Sequence, residues 1–149
     1  SVVYERKAKY IDAKKIASLK PENNNRALAA MRQEVMMKSI TMDNGIENTA
    51  HEQWDIPAYF CDPYSSWQKG GVEHANKMIR QFIPKKSDIN DYSDAYVETV
   101  LNILNNKPRK SLRYQTPYEV MVEHNLFITN KKNPVEGNCT SGVNLGFRN

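Results

Sequence analysis

Apolar positions in this chain come in short runs, and their spacing shifts from strand-like near the start to helix-like further on. Residues 2–16 scatter Val3, Tyr10, Ile11 and Ile16 among Arg6, Lys7, Lys9, Lys14 and Lys15, a β-type segment with its charges in water. It reads as one long strand or two short ones. Lys20-Pro21-Glu22-Asn23-Asn24-Asn25 reads as a break. Leu28, Met31 and Val35 then recur at helical spacing, which predicts a helix over 26–38. A short strand is expected at 39–42, followed by Asn44-Gly45 turn chemistry, and another at 58–60 after Pro57. Residues 62–71 hold Pro63 and a glycine pair and are expected to form a loop. Val72, Ala75, Met78, Ile79, Phe82 and Ile83 form the apolar side of a helix over 72–83 that Pro84 stops. Its polar side carries Glu73, Asn76, Lys77 and Arg80. Val97, Val100, Leu101 and Leu104 predict a further helix over 93–105. Thr116-Pro117-Tyr118-Glu119 is a helix start, with Thr116 as N-cap, Pro117 at the first helical position and Glu119 closing a capping box. From Thr129 the chain turns polar and rich in Gly and Asn. Residues 1–128 are therefore expected to form one domain and 129–149 a loose tail with one short strand at 143–147. Strands alternate with helices early and helices dominate late, the pattern of an α/β architecture with a mixed sheet covered by helices.

The bulk properties narrow the function without choosing it. A length of 149 residues suffices for one domain with a real core, and 40% hydrophobic residues is an ordinary globular value. The net charge is +4 and the pI about 9.0, which permits a polyanionic partner without requiring one. Cys61 and Cys139 are too few for a disulfide scaffold, and no paired Cys/His spacing marks a zinc site. They read as reduced thiols of an intracellular protein. No apolar run approaches the ~18 residues that span a membrane. No secretory signal is visible, so a cytoplasmic location is expected. The abrupt start in a strand at Ser1 reads as a fragment of a longer protein.

The candidate chemistry lies in two places. Ile40-Thr41-Met42-Asp43-Asn44-Gly45 puts an aspartate at the end of a predicted strand, and Gly70-Gly71-Val72-Glu73 puts a glutamate in the first turn of a predicted helix. Two acids on such rigid mounts can share hard divalent cations such as Mg²⁺, which take oxygen ligands. A pair of such ions can align a nucleophile and a leaving oxygen for phosphoryl transfer. In a basic chain the fitting substrate is a nucleic acid. Taken singly, each acid has an ordinary explanation: Asp before Asn-Gly is common turn chemistry, and a first-turn Glu is favoured by the helix dipole. Lys77 and Arg80, one and two turns beyond Glu73, fit phosphate contacts beside a reacting phosphodiester. They fit equally a Glu–Lys pair on a solvated helix.

Six stretches in order resemble one family. Tyr4-Glu5-Arg6-Lys7 is similar to its "ERKS" strand, and Thr41-Met42-Asp43-Asn44-Gly45-Ile46-Glu47 to its "T-x-DNG-x-E". Tyr59-Phe60-Cys61-Asp62-Pro63-Tyr64-Ser65-Ser66-Trp67-Gln68-Lys69-Gly70 resembles "YFADPYSPWQRG". Glu73-His74-Ala75-Asn76 through Ile79-Arg80 resembles "ENTNGLIR", and Pro84-Lys85-Lys86-Ser87-Asp88 resembles "PKGTD". Leu104-Asn105-Asn106-Lys107-Pro108-Arg109-Lys110 through Thr116-Pro117-Tyr118-Glu119-Val120 resembles "LNNRPRKxLGYxTPxEV". The family is the catalytic core of bacterial DDE-type insertion-sequence transposases, in the group named for insertion sequence thirty, within the retroviral-integrase and ribonuclease-H-like superfamily. The resemblance implies a ribonuclease-H-like mixed sheet flanked by helices. It implies metal-dependent DNA cleavage and strand transfer during transposition, with Mg²⁺ or Mn²⁺ as cofactor and transposon ends and target DNA as partners. Asp43 corresponds to the second acid of the triad and Glu73 to the third, both as metal ligands. Tyr64, Trp67, Gln68 and Lys69 fall in a loop that touches DNA. Asn76, Lys77 and Arg80 fall beside the DNA end, and Arg109 and Lys110, with Arg113, in a basic loop that contacts phosphate or is a solvated turn. The family also implies a multimer in the full-length protein, a place at the bacterial nucleoid and no membrane.

The match departs from the family in places. The family's first acid lies on a central strand upstream of the "ERK" strand, and the chain begins after it. The strands beginning at Val2 and Ile40 are therefore expected to lack a common neighbour, and the chain by itself to be catalytically weak or dead. Asp12 falls within the second strand and is not promoted in its place. Thirty positions separate Asp43 from Glu73, somewhat fewer than usual for the group. His74 and Ser66 replace the family's Asn and Pro, and His74 reads as a helix-surface residue. Two competing readings stand beside the transposase. One is a truncated, non-catalytic remnant that binds DNA or assembles with a full-length transposase. The other is a ribonuclease-H-like nuclease acting on RNA–DNA hybrids, against which the loop and Pro-Arg-Lys motifs speak.

Overall fold

The computed structural model describes residues 1–45, 48–62 and 65–128. Tyr64 and the tail 129–149, with the strand expected at 143–147, lie outside them. β1 (Val2–Tyr4) and β2 (Ile11–Ala13) form an antiparallel hairpin with Val3 opposite Asp12. Of the two readings for residues 2–16, two short strands is the one observed. The chain turns at Lys9, whose φ is 57°, and the Glu5 N–H closes the turn on the Tyr10 carbonyl at 2.8 Å. Successive residues point to opposite faces here, so the hairpin separates two cores. Tyr10 packs with Ala8, Val35, Val120 and Met121 on one side. Ile11 packs with Ala75, Val100, Leu101 and Leu104 on the other.

α1 (Pro21–Glu34) covers the expected break at 20–25, which is helical instead. Pro21 sits at the first helical position, where a missing N–H costs nothing. The asparagines that read as breakers find tertiary partners: Asn24 Nδ2 donates to Asn48 Oδ1 at 3.1 Å, and Asn25 Oδ1 accepts from Trp54 Nε1 at 2.8 Å. The helix ends at Glu34 rather than at 38, because Val35 turns extended (φ −126°, ψ 133°) and forms a bridge with Phe127.

β3 (Ile40–Met42) and β4 (Ala58–Phe60) pair in parallel, with Ile40 opposite Ala58 and Met42 opposite Phe60. Among the described residues no strand joins this pair to the hairpin. The mixed sheet therefore stands as two separate ladders, one antiparallel and one parallel. The strands expected to lack a common neighbour, β1 and β3, do not pair with each other.

A short 3₁₀ turn, Ser66–Lys69, runs directly into α2 (Gly70–Ile79), so the glycine pair opens the helix rather than lying in a loop. α2 ends at Ile79, before Ile83, and the chain continues in turns. α3 (Asp94–Asn105) is capped by Ser93, whose hydroxyl accepts from the Tyr96 N–H at 3.1 Å. α4 (Pro117–Glu123) carries the capping box read from the sequence. Thr116 Oγ1 accepts from the Glu119 N–H at 3.1 Å, and Glu119 Oε2 accepts from the Thr116 N–H at 2.7 Å. α2 and α3 pack on the hairpin through Ala75, Val100, Leu101 and Leu104. The last residue of α3, Asn105, is 2% exposed and binds the edge of β2 that β1 leaves open. Its Oδ1 accepts from the Ile11 N–H at 2.9 Å, and its Nδ2 donates to the Ile11 carbonyl at 2.8 Å. One side chain thus does for β2 what a neighbouring strand otherwise does. Among the described residues no helix is long and apolar enough to cross a membrane.

Candidate functional site

The parallel pair sets the position of Asp43. Met42 is the last residue of β3 and is buried, and Asp43 leaves the strand where the backbone turns. Its carboxylate is held on both oxygens. Oδ1 accepts from Asn48 Nδ2 at 2.9 Å, and the same amide reaches the Asp43 carbonyl at 3.1 Å. Oδ2 accepts from the Lys69 ammonium in a salt bridge. The Lys69 hydrogen bond holds the Asp43 carboxyl below its ordinary pKa. Partial burial opposes this, and the Lys69 charge and the Gly45 N–H add to the lowering. Asp43 therefore stays an anion in mildly acidic solution.

Lys69 is the N-cap residue of α2, and Glu73 lies in the first turn of that helix. Residues four apart lie on one face, so the ammonium that reaches Asp43 ties the end of β3 to the helix face that carries Glu73. Gly71 lets α2 start so close to the hairpin. A Cβ at Gly71 would overlap ring atoms of Tyr4 in β1, whereas Gly70 faces open space. The glycine pair is thus unequal: only its second member is required by packing. Glu73, His74, Lys77 and Arg80 are exposed along α2, and Asn76 is half-buried. Among the described residues no group of three or more His, Cys, Asp or Glu side chains gathers at one centre.

The remaining residues divide by what their side chains touch. Trp67 is 76% exposed on the turn before α2. Gln68 is engaged within the loop: its Nε2 donates to Asp62 Oδ2 and its Oε1 accepts from the Asp62 N–H, each at 3.0 Å. Lys110 is exposed. Arg109 turns inward instead, donating to the Leu104 carbonyl at 3.2 Å and to Met78 Sδ at 2.9 Å. It bridges the end of α3 to α2. Asp12 is 4% exposed, and its Oδ1 accepts from the Ala13 N–H at 2.8 Å, a structural position on β2. Tyr64 lies outside the described residues. Asn48 was missed by sequence reasoning. It is 7% exposed and links Asn24 of α1 to Asp43. Its only signal was its place a few residues beyond the Asp-Asn-Gly turn.

These features define an α/β protein of the ribonuclease-H-like, integrase-core type. The crystal structure of the catalytic core domain of BIV integrase matches it with a TM-score of 0.65 at 23% identity, covering 83% of this chain and 85% of that one. Sequence relatives agree with the motifs. The chain is 43% identical over 88 residues to the transposase for insertion sequence element IS4351 of Bacteroides fragilis, covering 56% of this chain and 27% of the relative. It is 39% identical over 98 residues to the transposase InsI for insertion sequence element IS30A of Escherichia coli K12, covering 63% of this chain and 25% of the relative. No family model matches the chain. The aligned region spans about a quarter of the length of these relatives. The chain is related by sequence to insertion-sequence transposases and folds as an integrase-type core.

Proposed function

We propose that the chain is the core portion of a transposase that cuts DNA at the ends of its element and joins them to a target. The observation that carries this is the tie between Asp43 at the end of β3 and Lys69 at the start of α2, one turn before Glu73. The names of the relatives support transposition over a non-catalytic remnant. Asp43 and Glu73 are the residues that would hold a divalent cation, Mg²⁺ or Mn²⁺. The donor set fits a hard cation, and a positive group already sits on Asp43 Oδ2 in the form of the Lys69 ammonium. When bound, such an ion supplies Lewis-acid stabilisation of the oxygens of a phosphodiester.

The chain's own residues position the substrate. Exposed Lys77 and Arg80 hold phosphates along the α2 face, with Asn76 beside them. Trp67 offers an aromatic face to a base or sugar at the DNA end, and Gln68 keeps its turn closed on Asp62. Lys110 adds a further phosphate contact. Arg109 is committed to the protein interior and is not assigned to DNA. Residues 1–128 are taken as the core unit and 129–149 as its tail, and the full-length protein is taken to work as a multimer on DNA. The test is a crystal structure grown with Mn²⁺. An anomalous peak bounded by the Asp43 and Glu73 carboxylates is expected, and it disappears in Asp43→Asn. Carboxylates that point apart with no peak at saturating Mn²⁺ would refute the metal-dependent reading.

A further inference from the structure

The two oxygens of Asp43 have partners of different permanence. Oδ1 belongs to Asn48, which is buried and held in turn by Asn24 of α1. Oδ2 belongs to Lys69, whose side chain remains 30% exposed at the end of a flexible stem. Only the second partner can leave without disturbing the core. A divalent cation that takes Oδ2 competes with the ammonium, because two positive charges in contact with one oxygen repel each other. The stem of Lys69 rises from the same turn as exposed Trp67, on the side of α2 where Lys77 and Arg80 are also exposed. Once displaced, the ammonium joins that basic surface.

We propose that Lys69 is the resident counter-ion of Asp43, exchanged for a divalent cation and thereby released to a DNA phosphate, so that metal and DNA bind cooperatively. The inference rests on the reading of Asp43 as a metal ligand. It goes beyond that reading by giving one lysine two alternating partners. Without metal, Lys69 neutralises Asp43 and contributes little to DNA. With metal, the site keeps its charge balance and the DNA surface gains a cation. By linkage, the metal raises DNA affinity by the same factor as DNA raises metal affinity. The factor is small, because a half-exposed ion pair is weak. A two- to five-fold effect, roughly, is the range such pairs allow.

The test uses the full chain and two binding assays that need no turnover. Free Mn²⁺ is followed by electron paramagnetic resonance, and a fluorescent DNA duplex by anisotropy with and without Mn²⁺. Lys69→Gln is expected to bind Mn²⁺ about two- to five-fold more tightly than the wild type. Without metal its DNA affinity falls somewhat, because the Asp43 carboxylate is left without its cation, and with Mn²⁺ bound it stays below the wild type, because no ammonium is released. Lys77→Gln, which removes an equal charge from the same helix, is expected to weaken DNA binding with or without Mn²⁺ and to shift Mn²⁺ affinity far less. The exchange is overturned if Lys69→Gln leaves Mn²⁺ affinity unchanged, or if both variants shift it equally, which is the result of diffuse charge alone. Wild-type protein with no Mn²⁺ binding that Asp43→Asn removes would sink the metal-ligand reading itself. The two failures are therefore distinguishable.

Discussion

Asn105 offers the sharpest test of how the fold is held, because one side chain satisfies both backbone groups of Ile11. Ile11 is fully buried and Asn105 nearly so, and the two bonds measure 2.9 and 2.8 Å. Asn105→Ala leaves an N–H and a C=O without a partner in the core. An unsatisfied buried group costs about 1–3 kcal/mol. The pair therefore sums to roughly 2–6 kcal/mol, with the lower half of that range favoured if a water enters the vacated space. For a chain of this size, at roughly 2–4 °C per kcal/mol, the loss corresponds to a fall in Tm of about 4–24 °C. Asn105→Leu makes the test specific. Leucine fills the volume, so no water can replace the lost bonds, and it adds apolar surface. If the buried hydrogen bonds dominate, Leu is the more damaging change; if packing dominates, Leu is milder than Ala. Both are better helix formers than Asn by a few tenths of a kcal/mol, a bias that works against the predicted loss. The assay is denaturant unfolding of all three proteins, with hydrogen exchange at the Ile11 amide as a local readout. An Asn105→Leu protein as stable as the wild type would refute the reasoning.

Two further outcomes follow from the site. Gly71→Ala is expected to lower stability by about 1–3 kcal/mol through overlap with the Tyr4 ring, whereas Gly70→Ala, in open space, is neutral or stabilising; equal melting temperatures for the two variants would contradict this. The lowered pKa of Asp43 gives a pH dependence of known sign: a depressed carboxyl contributes stability that is fully present above its ordinary value of 3.8 and is lost as pH falls below it through the folded value. Unfolding midpoints at about pH 5 and pH 3 are therefore expected to differ less in Asp43→Asn than in the wild type.

What the sequence determined by itself is what depends on near neighbours. Thr116–Glu119 announces α4 because a cap and its partner lie within one turn. The apolar character of Tyr10 and Ile11, and the apolar spacing of Val97, Val100, Leu101 and Leu104, put the right residues inside. The ordered motifs carried the recognition and put Asp43 at a strand end and Glu73 in a first helical turn, where the structure has them. What only the tertiary structure decided involves partners far apart along the chain. The asparagines of α1 read as a break because, without Asn48 and Trp54 to bind them, they are poor helix formers. The glycine pair read as loop because the ring of Tyr4, which requires Gly71, lies on β1. Arg109 read as a solvated or DNA-facing cation, and its inward turn depends on Met78 and Leu104. Lys69 could be assigned to DNA from its loop, but not to Asp43. In each case a polar or glycine residue took its role from a contact made by packing. Local spacing records helices, strands and caps; it does not record which distant group will stand opposite a side chain once the core has closed.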